Sequence, residues 1–353
     1  MSITTDTLAA RALAWLLDEA ELQHLTHESV LFLGARFEPA LLSPPRGTWQ
    51  CEQALKPWAQ QLIDVGIDSQ ARIDSQDHAL VLVLPPRQRD ETRSLLARAV
   101  QSARTGGVVA VAATNQSGGR TLADDLRALT GTANTASKFK CRLVWSRVET
   151  DRIDTSTLAA WLALDEPRWL DVEGESFCTR PGLFAWDRID TASKLLAEHL
   201  PDSLAGRAAD LGAGWGYLSL QLLRRCPGIT AIDLYEANAR ALEPARQNLA
   251  AALGERTAPR WAVHWHDVTT GLPTHYDLVI SNPPFHLDRA DQPLLGQAFL
   301  DTAAKALNRN GEAWIVANRH LPYEALLGER FTQVERIVQR DGFKVMRAFG
   351  PKP

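Results

Sequence analysis

The sequence predicts an α/β protein made of two tandem doubly wound domains, the second intact and the first degenerate. Three observations carry this. From about Gly206 onward short apolar runs alternate with helical patterns, a glycine-rich turn ends the first of those runs, and residues 1–150 repeat the same order in weaker form. A chain of 353 residues is long for one core and suits two domains of roughly 150 residues each. With 45% hydrophobic and 23% charged residues, its composition is that of an ordinary globular protein.

The opening stretch MSITTDTLAARALAWLLDEAELQHL reads as an amphipathic helix starting near Thr5; acidic residues inside its apolar pattern exclude a signal peptide or a membrane span. In the second half, RAADLGAGWG is a strand entering a glycine turn and YLSLQLLRRC has apolar residues at helical spacing. ITAIDLYE is the next strand and ANARALEPARQNLAAAL the next helix. RWAVHWHD and YDLVISN follow as strands, LLGQAFLDTAAKAL as a helix and GEAWIVAN as a strand. A short helix near 322–329 precedes FTQVERIVQ and FKVMRAFG, two strands with only a short link, hence an antiparallel hairpin at the sheet edge.

The first half compares with the second segment by segment. Residues 30–42 lie over 208–220, 80–88 over 278–286, 106–118 over 310–322 and 137–145 over 341–349. Four short similarities in one order predict a duplication, giving two Rossmann-like domains: a degenerate one over 1–150, a connection over 151–180, and the intact one over 181–353. Where the second copy has Asp210, Gly214, Gly216 and Asn282, the first has Phe32, Arg36, Glu38 and Leu84. The first copy keeps its strands and its diproline and lacks the polar groups.

Asp210-Leu-Gly-Ala-Gly-Trp-Gly216 sits where a strand turns into a helix, and glycines at 212, 214 and 216 let a ligand approach the backbone closely. The leading Asp210 disfavours a dinucleotide and so a dehydrogenase, because a pyrophosphate at a helix N-terminus wants no carboxylate beside it. A cationic tail would welcome one. S-adenosylmethionine carries an ammonium and a sulfonium, and D-x-G-x-G-x-G is the pattern its binders show. Glu236 ends the next strand, 20 residues after Gly216, where an acid can accept from both ribose hydroxyls. Asp267 follows the third strand and could hold the adenine amino group, although HD after a strand is also ordinary turn chemistry. The fourth strand ends in Ser281-Asn282-Pro283-Pro284-Phe285. Prolines fix φ and remove backbone donors, so the Asn282 side-chain oxygen and the Pro283 carbonyl can converge as two acceptors on an exocyclic amino group, with Phe285 stacked on the base plane. His286 reads as a loop-packing residue, and Trp215 and Tyr217 as packing around the glycine turn.

Together these residues resemble the class I S-adenosylmethionine-dependent methyltransferases that modify exocyclic amines through an Asn-Pro-Pro-aromatic motif. The segments PGLFAWDRIDTASKLLAEHLP (181–201), ISNPPFH, IVANRHLPY (315–323) and FKVMRA (343–348) are similar to those of the bacterial rRNA guanine-N2 methyltransferases. NQSGGR (115–120) and SKFKCRLVWSRVE (137–149) resemble the small-subunit (16S) branch, while ANRHL is closer to the large-subunit (23S) branch. The resemblance implies a seven-stranded methyltransferase sheet in the second copy, an inactive first copy, and ribosomal RNA or an assembled subunit as partner. It places Asp210, Gly212, Gly214, Gly216, Glu236 and Asp267 on the cofactor and Asn282, Pro283 and Phe285 on the guanine. Arg188 and Asp190 would line the substrate entrance, and Phe343, Lys344 and Arg347 would shape an RNA face. The same loop logic serves enzymes of DNA adenine N6 or of a protein glutamine amide, and a ribosome-assembly factor could use the fold without catalysis.

Charge limits the partner further. A net charge of −4 excludes a strongly basic, nonspecific nucleic-acid binder but leaves room for local clusters, Lys138, Lys140, Arg142 and Arg147 in one and Arg336, Arg340, Lys344 and Arg347 in another. Lys138, Lys140 and Arg142 of the first cluster are the expected RNA surface of the inactive copy. The four cysteines form no CxxC pair, which implies reduced thiols in a cytoplasmic protein, and no His/Cys/carboxylate cluster has metal-ligand spacing, so no metal is expected.

Overall fold

The structure is a computed structural model that describes residues 3–19, 22–42, 47–115, 118–254, 259–284, 286–287, 290–291 and 293–352. The chain forms two compact units that meet between Glu166 and Pro167, inside the stretch 151–180 read as the connection.

The first unit runs α1 (Ile3–Glu19), β1 (Ser29–Leu33), α2 (Pro39–Leu42), β2 (Thr48–Glu52), α3 (Lys56–Asp64), β3 (Ser69–Gln70), β4 (His78–Val83) and α4 (Arg89–Ser102). It continues through β5 (Ala103–Thr114), α5 (Leu122–Thr130), β6 (Asn134–Lys138), β7 (Cys141–Arg147) and α6 (Thr155–Leu162). Its sheet has seven strands in the order β3-β2-β1-β4-β5-β7-β6, parallel through β5, with β7 and β6 closing antiparallel. The unbroken apolar runs of β1 and β4 follow from burial on both faces. Val30, Phe32, Leu80 and Leu82 pack with Leu13, Leu16 and Leu17 of α1, whereas Leu31, Leu33, Val81 and Val83 pack with Leu96 and Val100 of α4 and Leu126 of α5. Successive side chains alternate between these two cores, as a period of two requires.

The second unit opens on a hairpin, β8 (Arg168–Val172) with β9 (Glu175–Thr179), then α7 (Thr191–His199), β10 (Ala205–Leu211), α8 (Tyr217–Arg225), β11 (Gly228–Glu236) and α9 (Ala239–Leu253). β12 (Arg260–Trp265), β13 (Tyr276–Ser281), a two-residue ladder of β14 (His286–Leu287) with β15 (Ala290–Asp291), and α10 (Pro293–Ala306) follow. β16 (Leu307–Asn318), α11 (Tyr323–Arg330), β17 (Phe331–Arg340) and β18 (Phe343–Pro351) complete it. The strand order β12-β11-β10-β13-β16-β18-β17 is that of the first sheet, so the duplicated architecture and the closing antiparallel hairpin stand as the sequence predicted. Among the described residues no helix is long and apolar enough to cross a membrane.

Register makes the comparison of the copies exact to the residue. Phe32 pairs with Leu82 as Asp210 pairs with Ile280, which places a phenyl ring where the second copy buries a carboxylate. Leu33 pairs with Glu52 as Leu211 pairs with Tyr235, so Gln53 occupies the position of Glu236. Gln53 Oε1 accepts from the Leu55 N–H at 2.9 Å, just as Glu236 Oε1 accepts from the Asn238 N–H at 2.7 Å. The amide differs in its other arm: Gln53 Nε2 donates to the Ala35 carbonyl at 2.7 Å and ties the turn shut. Arg36, in the place of Gly214, lays its guanidinium over the Trp58 ring. A Cβ on Gly34 would overlap the Leu84 carbonyl, so turn and diproline loop touch, whereas at the matching Gly212 the atoms a Cβ would meet belong to Phe299 and not to the Asn282 loop.

Candidate active site

The sheet order sets the carboxyl ends of β12, β11, β10 and β13 side by side, the edge at which open α/β sheets bind ligands. Asp267, Glu236, Asp210 and Asn282 stand at those four ends in that order.

Asp210 is fully buried; its Oδ2 accepts from Ser219 Oγ at 2.7 Å and its Oδ1 has no hydrogen-bond partner. Desolvation pushes the carboxyl up to about 7, the Glu236 charge adds to this, and the Ser219 bonds oppose it. The turn that follows has φ of +74°, +56° and +90° at Gly212, Gly214 and Gly216. A side chain at Gly214 would meet no atom within 4 Å, so the space beside this backbone is open to a ligand, and its N–H donates to Glu236 Oε2 at 2.8 Å. Burial also raises the Glu236 carboxyl, against the three backbone N–H groups of Gly214, Ala237 and Asn238 that favour its charge. Asp267 is half-buried and caps the turn after β12, accepting from Thr269 N at 2.9 Å and Thr269 Oγ1 at 2.7 Å, the turn chemistry that its sequence context also allowed.

Asn282 is held from behind. Its Nδ2 donates to Asp190 Oδ2 and to Ser193 Oγ, both at 2.9 Å. A carboxylate only accepts, so Asp190 must face the amide NH₂, and the Asn282 oxygen is turned the other way. Asp190 is itself fixed as the N-cap of α7 through the Ser193 N–H at 2.8 Å. Ser281 Oγ donates to the Leu211 carbonyl at 2.7 Å, joining the end of β13 to the start of the glycine turn. Asn282, Asp190, Ser193, Gly212, Gly214 and Trp215 line one pocket, with Pro283 buried next to it. Phe285 lies outside the described residues, as does the side chain of His286.

Trp215 and Tyr217 pack with Phe177, Trp215 at 4.9 Å between ring centroids, in keeping with a packing role. The turn's backbone is held by Asn248 of α9, whose Nδ2 donates to the Trp215 carbonyl at 2.8 Å. Asn248, Ser193, Ser219 and Ser281 escaped sequence reasoning, because each acts through a contact distant in the chain; only the D-x-x-S spacing of Asp190 and Ser193 carries a local cap signal.

The residues expected on RNA are spread out. Arg188 is exposed and paired with Asp187 at 2.8 Å. Lys344 is corrected: it is 3% exposed, with Nζ bonded to the Leu321 carbonyl at 2.7 Å and to the Glu324 carboxylate, so it presents no charge to a surface. β18 lies between β16 and β17, and Lys344, Val345 and Met346 are buried in succession, so the strand is covered on both faces. Arg347 bonds Glu312 and lies 3.9 Å from Glu335, so much of its charge is already met. Phe343 is half-buried against the core. In the first unit Lys138 and Lys140 are exposed and Arg142 is half-buried on the β6–β7 hairpin, with Lys138 Nζ 5.0 Å from the Trp15 ring. Among the described residues no group of three or more His, Cys, Asp or Glu could hold a metal ion.

This seven-stranded sheet, with a glycine turn after its first strand, an acid ending the second and Asn-Pro-Pro after the fourth, defines a class I methyltransferase, and a family model described as methyltransferase small domain matches residues 174–347. The chain belongs to the ribosomal RNA small subunit methyltransferase C family: it is 30% identical over 315 residues to the Salmonella typhi member, covering 89% of this chain and 88% of that protein. It is 31% identical over 265 residues to the Escherichia coli (strain K12 / DH10B) member, covering 74% and 73%. Of the two branches that the sequence left close, the small-subunit one is the family found. Among solved structures, the T. thermophilus 16S rRNA N2 G1207 methyltransferase in complex with AdoMet and guanosine shares the fold, with a TM-score of 0.75 at 22% identity over 91% of this chain and 88% of that one.

Proposed function

We propose that this protein transfers a methyl group from S-adenosylmethionine to the exocyclic N2 amine of a guanine in 16S ribosomal RNA, in the cytoplasm. The observation that carries the reading is the Asn282 amide, whose NH₂ is consumed by Asp190 and Ser193 so that its oxygen is left as an acceptor toward the pocket. The family's name supports the small-subunit substrate, and the likeness to the T. thermophilus 16S rRNA N2 G1207 methyltransferase supports the N2 position.

The unpartnered Asp210 oxygen and the open space beside Gly214 fit a ligand with a cationic tail and a close approach to backbone. In this reading Asp210 faces the positive end of the cofactor and the turn of Gly212, Gly214 and Gly216 packs against it. Glu236 accepts from the ribose hydroxyls with the lone pairs its backbone bonds leave over, and Asp267 meets the adenine amino group. The bound cofactor supplies a methyl group made electrophilic by a sulfonium. Asn282 Oδ1 and the Pro283 carbonyl accept the two N–H groups of the guanine amine, which turns its lone pair toward that methyl, and Phe285 stacks on the base. Rate comes from positioning, and the surplus proton leaves after attack, so no strong base is needed. The target guanine must be unpaired or flipped, at a cost of a few kcal/mol. Lys138, Lys140 and Arg142 of the inactive copy supply phosphate contacts, as does the exposed Arg188 in the second unit; Arg347, already met by Glu312, and the buried Lys344 do not.

The test is an Asn282→Ala variant with labelled S-adenosylmethionine and undermethylated subunits of each size. Cofactor affinity should stay unchanged while kcat falls about a hundredfold or more, the usual cost of one pre-aimed group. Label should appear as N2-methylguanine in the small subunit. A normal rate in the variant, or label in adenine N6, protein or the large subunit, would overturn the reading.

A further inference from the structure

We infer that Phe184 forms an aromatic wall of the guanine slot and stacks on the target base once it is unpaired. This rests on the reading of the Asn282 pocket as the guanine N2 site.

Phe184 is 68% exposed and lines the pocket that contains Asn282, Asp190 and Ser193. A singly exposed phenyl ring is common on protein surfaces. This one is held out by its backbone. Leu183 and Ala185 are buried, Trp186 packs against the core, and Ala185 has a left-handed φ of +48°. That conformation is unfavourable for a residue with a Cβ, and a strained residue persists only where its surroundings impose it. Gly182 turns the chain at φ +90°, and the Leu183 and Trp186 amides close on the Arg180 and Leu183 carbonyls at 3.2 Å and 3.3 Å. The turn buries its neighbours and leaves Phe184 at the pocket mouth.

Strand order identifies what the ring faces. The ribose and adenine positions belong to Glu236 and Asp267, on β11 and β12 beyond β10. Phe184 shares its pocket instead with Asn282, which follows β13 on the other side of β10. A ligand there, beside the glycine turn that takes the cofactor, meets polar groups on one wall and one exposed flat apolar face on another. An unpaired purine with an exocyclic amine presents the complementary set. Its edge finds the amide oxygen and its face finds the ring.

Stacking of a base on an aromatic side chain is worth about tenfold to a hundredfold in affinity. Phe184→Ala, Phe184→Leu and Phe184→Trp variants of the full chain test this, with methyl transfer to undermethylated small subunits and quenching of 2-aminopurine riboside as readouts. S-adenosylhomocysteine is present during the quenching, and its own affinity is measured by calorimetry. Alanine and leucine should lower kcat/KM and weaken the quenching by similar factors, about tenfold or more. Tryptophan should restore both, and S-adenosylhomocysteine should bind all three like the parent chain. Unchanged kcat/KM and quenching in Phe184→Ala, full function in Phe184→Leu, or an equal loss of S-adenosylhomocysteine affinity would overturn the stacking role while the parent still methylates guanine N2. A parent chain that labels another acceptor would overturn the function proposed above, and the guanine slot with it.

Discussion

Asp210 has one oxygen on Ser219, the other without a partner, and no exposure to water, and its response to pH follows from that. Its folded pKa is raised to about 7, above its ordinary value of 3.8. The ligand-free protein therefore holds a proton that the unfolded chain has already lost. Stability contributed by this group is present at low pH and is lost as pH rises from about 4 to about 7. A cationic ligand reverses the preference by favouring the ionised carboxylate, and binding then releases a proton. S-adenosylmethionine should bind more tightly as pH rises toward 7, by up to about tenfold per unit, and level off above it. Glu236 is raised too and adds to the slope. An Asp210→Asn variant should flatten most of this dependence and bind the cofactor at least about tenfold more weakly at pH 8. Without ligand it should be more stable than the parent at that pH, by on the order of 2 kcal/mol. Calorimetric titration across pH and thermal melts at pH 8 check these outcomes, and a pH-independent affinity in the parent chain would contradict them.

Between elements, α9 does more than cover the sheet. Asn248 is buried, accepts from the Cys178 N–H at 2.6 Å, and donates to the Cys178 and Trp215 carbonyls at 2.8 Å each. One side chain thus fastens β9 and the glycine turn to the helix. Asn248→Ala would strand one buried N–H and two buried carbonyls, each costing about 1–3 kcal/mol. The expected loss is about 3–4 kcal/mol in urea unfolding, with weaker cofactor binding although Asn248 does not line the pocket; a loss below about 1 kcal/mol would show the three bonds to be redundant. Neither this helix role nor the β8–β9 hairpin was legible in the sequence. RWLDVEGESFCT lies in the stretch read as a connection, and its burial is against α9, a partner that sequence cannot name. Lys344 was misread for a related reason. A lysine in a closing hairpin suggests solvent, but β18 lies inside the sheet and α11 brings Glu324 to it. The parallel strands were readable because burial on both faces leaves unbroken apolar runs.

Across the whole molecule one topology occurs twice and only one copy retains its polar groups. The sequence showed this at Phe32, Arg36 and Leu84, where residue types change outright, and missed it at Gln53. There an amide keeps the backbone bond of its counterpart Glu236 and spends its other arm closing the turn. A site lost by such steps frees the remaining surface for another use, and the β6–β7 hairpin has the features of one. Its two-residue turn is Phe139-Lys140 at φ +51° and +60°, where the second copy uses Asp341-Gly342 at +54° and +84°. Non-glycine residues at both positions are unusual, since such turns favour Asn, Asp and Gly. The exchange adds a lysine beside Lys138 and Arg142, with Arg11 5.0 Å and Lys138 5.6 Å from the Phe139 ring. Cations set among aromatic rings suit phosphate and unstacked bases. Reversing Lys138, Lys140 and Arg142 to Glu should weaken binding to small-subunit rRNA by about tenfold or more at low salt. If all three meet phosphates, the slope of log affinity against log salt should shrink by about 2–3, as each neutralised phosphate contributes about 0.7–0.9. S-adenosylmethionine affinity should not change, because its residues lie in the other unit. RNA affinity and salt slope equal to those of the parent chain would leave the first copy with a stabilising role alone.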